Sequence, residues 1–275
     1  TAVLVAAPGA NAAPPPAETF AALPAVSDVV LSPNGNLLAW TDRGGPETLT
    51  VMFDLTTRQT KRQIAIGKEY KTRNLNWADD ETLLIDLSQT DKDETAGGKS
   101  YEIFRTLAFD LVRGKGHILL MTGGARQLVT GADLIAWHTS KPKTVVMSTL
   151  DYSAGAAHRE MDTRLAGHRE DSGWVAYLFE VDTVTGKGKP IDQGSQFTEQ
   201  WIVNRDGACV ARSEWNPKLS KYRVLAKDGA GWREIYSRNE RGDIGLHGLS
   251  AEGTGIVAVG PNDAGRRVAW TIPLD

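Results

Sequence analysis

The chain has 275 residues, 31 Lys+Arg against 34 Asp+Glu and a formal charge of -3, so neither sign offers the field that a nucleic acid or another highly charged polymer would need. With 41% hydrophobic and 24% charged residues, the composition is that of a globular domain with a sizeable core and not of a disordered chain. Its single cysteine, Cys209, excludes an intrachain disulfide and a zinc-cysteine cluster; flanked by Ala208 and Val210, it reads as a buried thiol.

Residues 1–19 stand apart. Thr1 to Ala13 are small and apolar, Ala10-Asn11-Ala12 has the small-any-small form of a cleavage site, and Pro14, Pro15 and Pro16 follow. This segment reads as a signal-peptide remnant and Pro-rich linker, which predicts export to the periplasm or medium; composition alone leaves cytoplasmic life open. No later stretch is apolar for the 18 or so residues that a spanning helix requires, so no transmembrane segment is predicted.

From residue 20 to 275 the chain repeats one pattern. Val29-Val30-Leu31, the turn Ser32-Pro33-Asn34-Gly35 and Leu37-Leu38-Ala39-Trp40 read as strand, turn, strand, with Thr48–Asp54 and Arg62–Ile66 as third and fourth strands. A second unit opens at Asn74-Leu75-Asn76-Trp77, turns at Ala78-Asp79-Asp80 and continues through Thr82–Ile85. A polar stretch, Asp91–Ser100, reads as a solvent loop before a long strand near Tyr101, and Ile118–Met121 and Gln127–Val129 as the end of the unit. The third unit has Leu134–Trp137, the Lys141-Pro142-Lys143 turn, Thr144–Met147, a charged insertion from Ala154 to Ser172, then Val175–Phe179 and a hairpin at Asp182–Gly186. The fourth runs through Gln200–Val203, Asn204–Gly207, Ala208–Ala211, Lys221–Ala226 and Trp232–Tyr236; the fifth through Leu246–Ser250, Ile256–Val259 and Val268–Ile272. Unit starts near Asp28, Arg73, Asp133, Glu199 and Asp243 lie 45, 60, 66 and 44 residues apart, close to the roughly 40–50 of propeller blades once two insertions are allowed. An isolated four-stranded sheet leaves both faces wet, whereas radial stacking buries them. The predicted fold is therefore all-β: a β-propeller of four-stranded antiparallel blades, about five visible, cut from a ring of seven before the fourth strand of the fifth blade.

Leu31-Ser32-Pro33-Asn34-Gly35 with Phe20–Pro24, Asn74–Asp80 with Thr82-Leu83-Leu84, Trp137 with Thr144–Met147, and Tyr177–Asp182 followed by Trp201–Gly207 together resemble the propeller of bacterial prolyl-oligopeptidase-like serine peptidases. The resemblance extends over almost the whole chain after residue 20, although several propeller families share such turns. It implies a propeller that covers a downstream α/β-hydrolase domain and orients or gates peptide substrates, with the catalytic Ser, Asp and His beyond these positions. The alternative is a stand-alone exported binding or scaffold propeller. The partners implied are the hydrolase domain, a peptide and, at the two insertions, a second copy of the chain.

No catalytic, cofactor-binding or metal-ligating residue is assigned within the chain, and no cofactor is expected. Gly248-Leu249-Ser250-Ala251-Glu252-Gly253 misses the G-x-S-x-G elbow by one position, which makes Ser250 a turn residue. His117, His138, His158, His168 and His247 are dispersed without metalloprotease spacing. Asp79-Asp80-Glu81 and Asp91, Asp93 and Glu94 lack a complete calcium loop and read as turns and solvated acids. Trp40, Trp77, Trp137 and Trp201, near the innermost strands, are expected to fill the wedges between blades.

Overall fold

The computed structural model describes residues 16, 23–93, 98–120, 132–152, 174–240, 243–262 and 264–275. The signal-like segment 1–13, the tip residues Glu94 and Gly97, Met121, Gln127–Val129 and the insertion Ala154–Ser172 with His158 and His168 lie outside the described residues.

Among the described residues, nineteen strands form five antiparallel sheets in chain order. The first blade holds β1 (Val26–Leu31), β2 (Leu37–Asp42), β3 (Leu49–Asp54) and β4 (Gln59–Ala65); the second β5 (Tyr70–Asp79), β6 (Thr82–Asp93), β7 (Lys99–Asp110) and β8 (Lys115–Ile118). The third holds β9 (Asp133–Ala136), β10 (Thr144–Tyr152), β11 (Trp174–Asp182) and β12 (Gly188–Gln193); the fourth β13 (Thr198–Val203), β14 (Cys209–Asn216), β15 (Lys221–Asp228) and β16 (Gly231–Arg238). The fifth has three strands, β17 (Gly245–Leu249), β18 (Gly255–Pro261) and β19 (Arg267–Pro273). First strands of neighbouring blades approach one another, β1 with β5, β9 with β13 and β13 with β17, so the first strand of each blade is the innermost. This is the blade arrangement expected from the repeats.

Four details differ from the sequence reading. Asp91–Asp93 and Lys99–Ser100 are strand and not loop: Asp91 pairs with Tyr101 and Asp93 with Lys99, so the ladder of β6 and β7 runs on into this polar stretch. The last strand of the second blade is β8, not Ile118–Met121, because the turn closed by Gly114 N–H on Asp110 O (2.9 Å) sets Lys115 opposite Asp110. Leu119 and Leu120 lie beyond it as buried wedge residues. Trp40 sits on the second strand of its blade, facing away from the neighbouring blade. Cys209 is half-buried, because a register shift at Ile202/Val203 leaves it at the edge of the ladder.

Alternation along the middle strands builds the core. On β6, Leu83, Ile85 and Leu87 pack with Leu37, Ala39, Met52 and Ile66 of the first blade, while Leu84 turns to Val145, Met147 and Phe179 of the third. On β10, Val146 points the other way, into a cluster with Ala176, Leu178 and Trp201. Ala211, Tyr222 and Val224 meet Leu246, Ile256, Ala258 and Ile272 between the fourth and fifth blades. The period of two thus serves two interfaces per sheet. Trp77 is 2% exposed and carries its indole N–H across the blade boundary to Val30 O at 3.3 Å. At Gly186 (φ +70°) an added Cβ would lie 2.6 Å from Ile118 O, and its own carbonyl accepts Leu120 N–H at 2.9 Å. Only glycine lets the outer hairpin of the third blade lie against the chain leaving the second.

Turns at one end of the inner strands are laced from blade to blade. Asn34 N–H donates to Asp80 Oδ1 (2.8 Å), Lys143 Nζ to Asp79 Oδ1 (3.1 Å) and Glu81 Oε2 (3.2 Å), and Ser140 Oγ to Asp206 Oδ1 (2.6 Å). Burial works against the charge of Lys143, but Asp79 and Glu81 outweigh it and raise its pKa.

Because the wedge at Trp77 is filled from both blades, Trp77→Ala should destabilise the chain by about 3–5 kcal/mol, and Trp77→Phe by less. Urea denaturation with an unchanged m-value is the check; a loss under 1 kcal/mol would place Trp77 outside the core.

Candidate functional site

Three concavities of the described surface lie at blade boundaries. A cleft of about 290 Å³ between the second and third blades is lined by Asn74, Asn76, Asp86, Thr106, Asp133 and Trp137 among others. Asp86 is placed there by the β6 alternation that sends Ile85 and Leu87 into the opposite wedge. Burial pushes its carboxyl pKa up, hydrogen bonds from Thr106 (Oγ1 to Oδ1, 2.7 Å) and Asn74 pull against this, and the charge of Asp133 adds to the rise. Asp133, at the start of β9, is also pushed up by desolvation. Further along the same face, Ser88 and then Arg73 hold Glu102 down at about 2, with Thr90 and Lys71 assisting.

A second hollow, of about 300 Å³, lies at the laced end of β9, β13 and β17 and includes His138, Arg205 and His247. The third is a rim cleft of about 820 Å³ between β16 and β19, with Tyr236, Arg238, Glu240, Val268 and Trp270 on its walls.

Between the third and fourth blades an ionic cluster lies beside the apolar one of Val146, Ala176, Leu178 and Trp201. Glu214, 1% exposed, accepts from Arg212 (2.9 Å), from Arg223 through Nε (2.9 Å) and Nη2 (2.6 Å), and from Ser195 Oγ (2.8 Å). Arg212 also donates to Gln193 O (2.9 Å) and lies 4.1 Å from the centre of the Trp232 ring, with Lys227 at 4.6 Å from the same ring and 2.7 Å from Asp192. Every carboxylate oxygen of Glu214 is occupied by the protein itself, so this cluster joins blades and leaves no group for a substrate.

The residues weighed from sequence fall as follows. Ser250 closes the β17–β18 turn, its N–H on Gly255 O (2.8 Å) and its carbonyl accepting Gly253 N–H (2.9 Å). His117 is on β8, opposite Ala108, and far in sequence and strand order from His138 and His247, which share the second hollow. Asp79, Asp80 and Glu81 serve the blade lacing described above. Asp206-Gly207 and Asp228-Gly229 are in turns, with Gly207 at φ +77° and Gly229 at φ +56°. Burial pushes the Cys209 thiol up to about 12, with Asp192 adding to the effect, which makes it a poor nucleophile at neutral pH. Of the tryptophans, Trp77 and Trp201 are buried in wedges, Trp201 donating to Ser148 Oγ at 2.9 Å, while Trp40 and Trp137 are half-buried. No group of three His, Cys, Asp or Glu among the described residues is arranged to hold a metal ion. Sequence reasoning passed over Asp86, Asp133 and Glu214. For Glu214 a signal existed, since Arg212 and Glu214 interrupt an apolar strand on one face and Arg223 stands at the matching place of the next.

No protein-family model and no curated protein sequence matches the chain. Among solved structures it is similar to an oligogalacturonate lyase in complex with manganese (14% identity, TM-score 0.52, 89% of this chain and 62% of that one). It is also similar to dipeptidyl peptidase 4 of Porphyromonas gingivalis (13%, 0.54, 90% and 37%) and to an acylaminoacyl peptidase of Pyrococcus horikoshii (14%, 0.50, 90% and 38%). The chain spans less than two thirds of each. At these identities the likeness defines the fold class, a β-propeller.

The opposed shifts give opposed pH effects. Asp86 ionises more readily unfolded, so its contribution to stability falls as pH rises from the ordinary value near 4 through its raised folded value. Asp86→Asn should therefore be more stable than the parent chain at pH 7, the gap closing below about pH 4. Glu102 has the reverse sign: its contribution is present above the ordinary glutamate range and lost as pH falls towards about 2, so Glu102→Gln should flatten the acid limb. Urea midpoints from pH 2 to 8 test both, and a parallel displacement of the whole curve by either substitution would refute the titration argument.

Proposed function

We propose that the chain is the non-catalytic propeller segment of a larger serine peptidase, in which it covers a downstream α/β-hydrolase domain and admits or orients peptide substrates. The observation that carries this reading is the shared course of the blades: 90% of the chain follows dipeptidyl peptidase 4 while accounting for 37% of that protein's length, in line with the peptidase resemblance of the turn sequences. Two surfaces support it. The face of the first blade turned away from the second displays Leu38, Trp40 and Phe53, with Val29 and Leu31 more than half exposed beside them. The fifth blade has three strands where the others have four, and the rim cleft lies beside β19 where a fourth would pack on Tyr236 and Trp270. A further strand and neighbouring blades would cover both. Export is part of the proposal and rests on Ala10-Asn11-Ala12.

The test is the reading frame beyond Asp275. We expect a nucleophile elbow there, hydrolysis of peptide p-nitroanilides by the extended protein, loss of that activity when the elbow serine is changed to alanine, and no hydrolysis by the 275-residue chain. Downstream sequence without hydrolase features, or a 275-residue chain that is monodisperse and gains no stability from extension, would overturn the reading in favour of a stand-alone binding propeller.

A further inference from the structure

At the laced end of the inner strands the carboxylates of Asp79, Asp80 and Asp206 are engaged by Lys143, Asn34 and Ser140. The hollow framed by β9, β13 and β17 has the opposite character. Its floor includes Ile135, Trp201 and Leu246, and His138, Arg205 and His247 stand exposed around it. Among the described residues none of these three side chains has a hydrogen-bond or ion-pair partner. Their backbone is nevertheless well held. Arg205 O accepts Ser140 N–H (2.8 Å), Asn204 Oδ1 accepts the N–H of Asp206 and Ala208 (3.0 Å each), and Leu246 N–H donates to Gln200 Oε1 (3.1 Å). One permanent cation and two imidazoles are thus carried on two inter-strand turns and on β17 around an apolar floor, with no side-chain partner among the described residues.

We propose that this hollow binds the free carboxylate of a peptide. The Arg205 guanidinium offers a planar pair of N–H donors that match a carboxylate's two oxygens, and an imidazole N–H from His138 and from His247 can reach the remaining lone pairs. Ile135, Trp201 and Leu246 suit an apolar terminal side chain; a uronate, which shares the carboxylate, would set sugar hydroxyls against that floor without partners. The choice of a peptide rests on the peptidase reading above, and the carboxylate site itself does not.

The 275-residue chain can be titrated with a leucine-terminated tetrapeptide as the free acid, with its C-terminal amide and with digalacturonate, following the imidazole resonances. We expect the acid to bind and shift His138 and His247, the amide to bind at least about tenfold more weakly, and Arg205→Gln to weaken the acid by a similar factor at unchanged thermal midpoint. Arg205→Lys should restore only part of the affinity, since a point charge lacks the fork. Equal binding of acid and amide, no binding of the acid, or an Arg205→Gln chain that binds as before would overturn the site. Tighter binding of digalacturonate than of the peptide acid would overturn the peptide assignment. If the extended protein cleaves peptide acids and amides alike, this site fails and the peptidase reading stands. Carboxylate binding by the chain, with no hydrolysis by the extended protein, would support this site and sink the peptidase reading.

Discussion

Every sheet in this protein has two faces to bury and can bury each only against another sheet. That constraint explains why the middle strands are apolar on both sides, with Leu83, Ile85 and Leu87 of β6 serving one wedge and Leu84 the other. It also explains why the repeats must stack around an axis, since two sheets alone would leave two faces wet. The large rings fill the wider parts of the wedges: Trp77 and Trp201 each lie on an innermost strand and each donate their indole N–H across a blade boundary, to Val30 O and to Ser148. Large apolar rings with a polar edge do two jobs at such a boundary, filling volume and fixing the relative height of neighbouring blades.

The wedge between the third and fourth blades adds an ionic cluster to its apolar one. Arg212, Arg223 and Ser195 surround the Glu214 carboxylate, and Trp232 is covered by Arg212 and Lys227. Desolvating these charges is costly, and mutual pairing offsets the cost only when the geometry is complete. Such a cluster, set beside the apolar one of Val146, Ala176, Leu178 and Trp201, favours one arrangement of its two blades. Together with the turn lacing through Asp80, Lys143 and Ser140, it holds the inner-strand ends in register, and those ends carry the hollow around Arg205.

Among the described residues, shifted ionisation follows from packing: burial raises Cys209 and Tyr222, a surface network with Ser88 and Arg73 lowers Glu102, and the cleft between two blades raises Asp86. Arg205, by contrast, has no side-chain partner among the described residues and lines the hollow between the innermost strands β9, β13 and β17.

The sequence by itself determined the order of the five described sheets, their inner strands and their turns, because an apolar strand followed by a short polar turn and a second apolar strand is a local pattern that repeats. It also determined that Ser250 is a turn residue, since the elbow spacing was off by one. The tertiary structure decided what local patterns cannot carry. Asp91–Asp93 and Lys99–Ser100 looked like loop because a polar strand end has the same polarity as one, and only strand pairing separates the two. Trp40 looked equivalent to Trp77, yet one faces away from the neighbouring blade and the other is in a wedge, because their strands occupy different places in the blade. Asp86 and Asp133 are 47 positions apart; Arg212 reaches Gln193 O and Lys227 reaches Asp192 across a blade boundary; His138, Arg205 and His247 come from three separate units. Such groups meet only when sheets stack, so their charges, their burial and their capacity to bind are properties of the stack and not of any one strand.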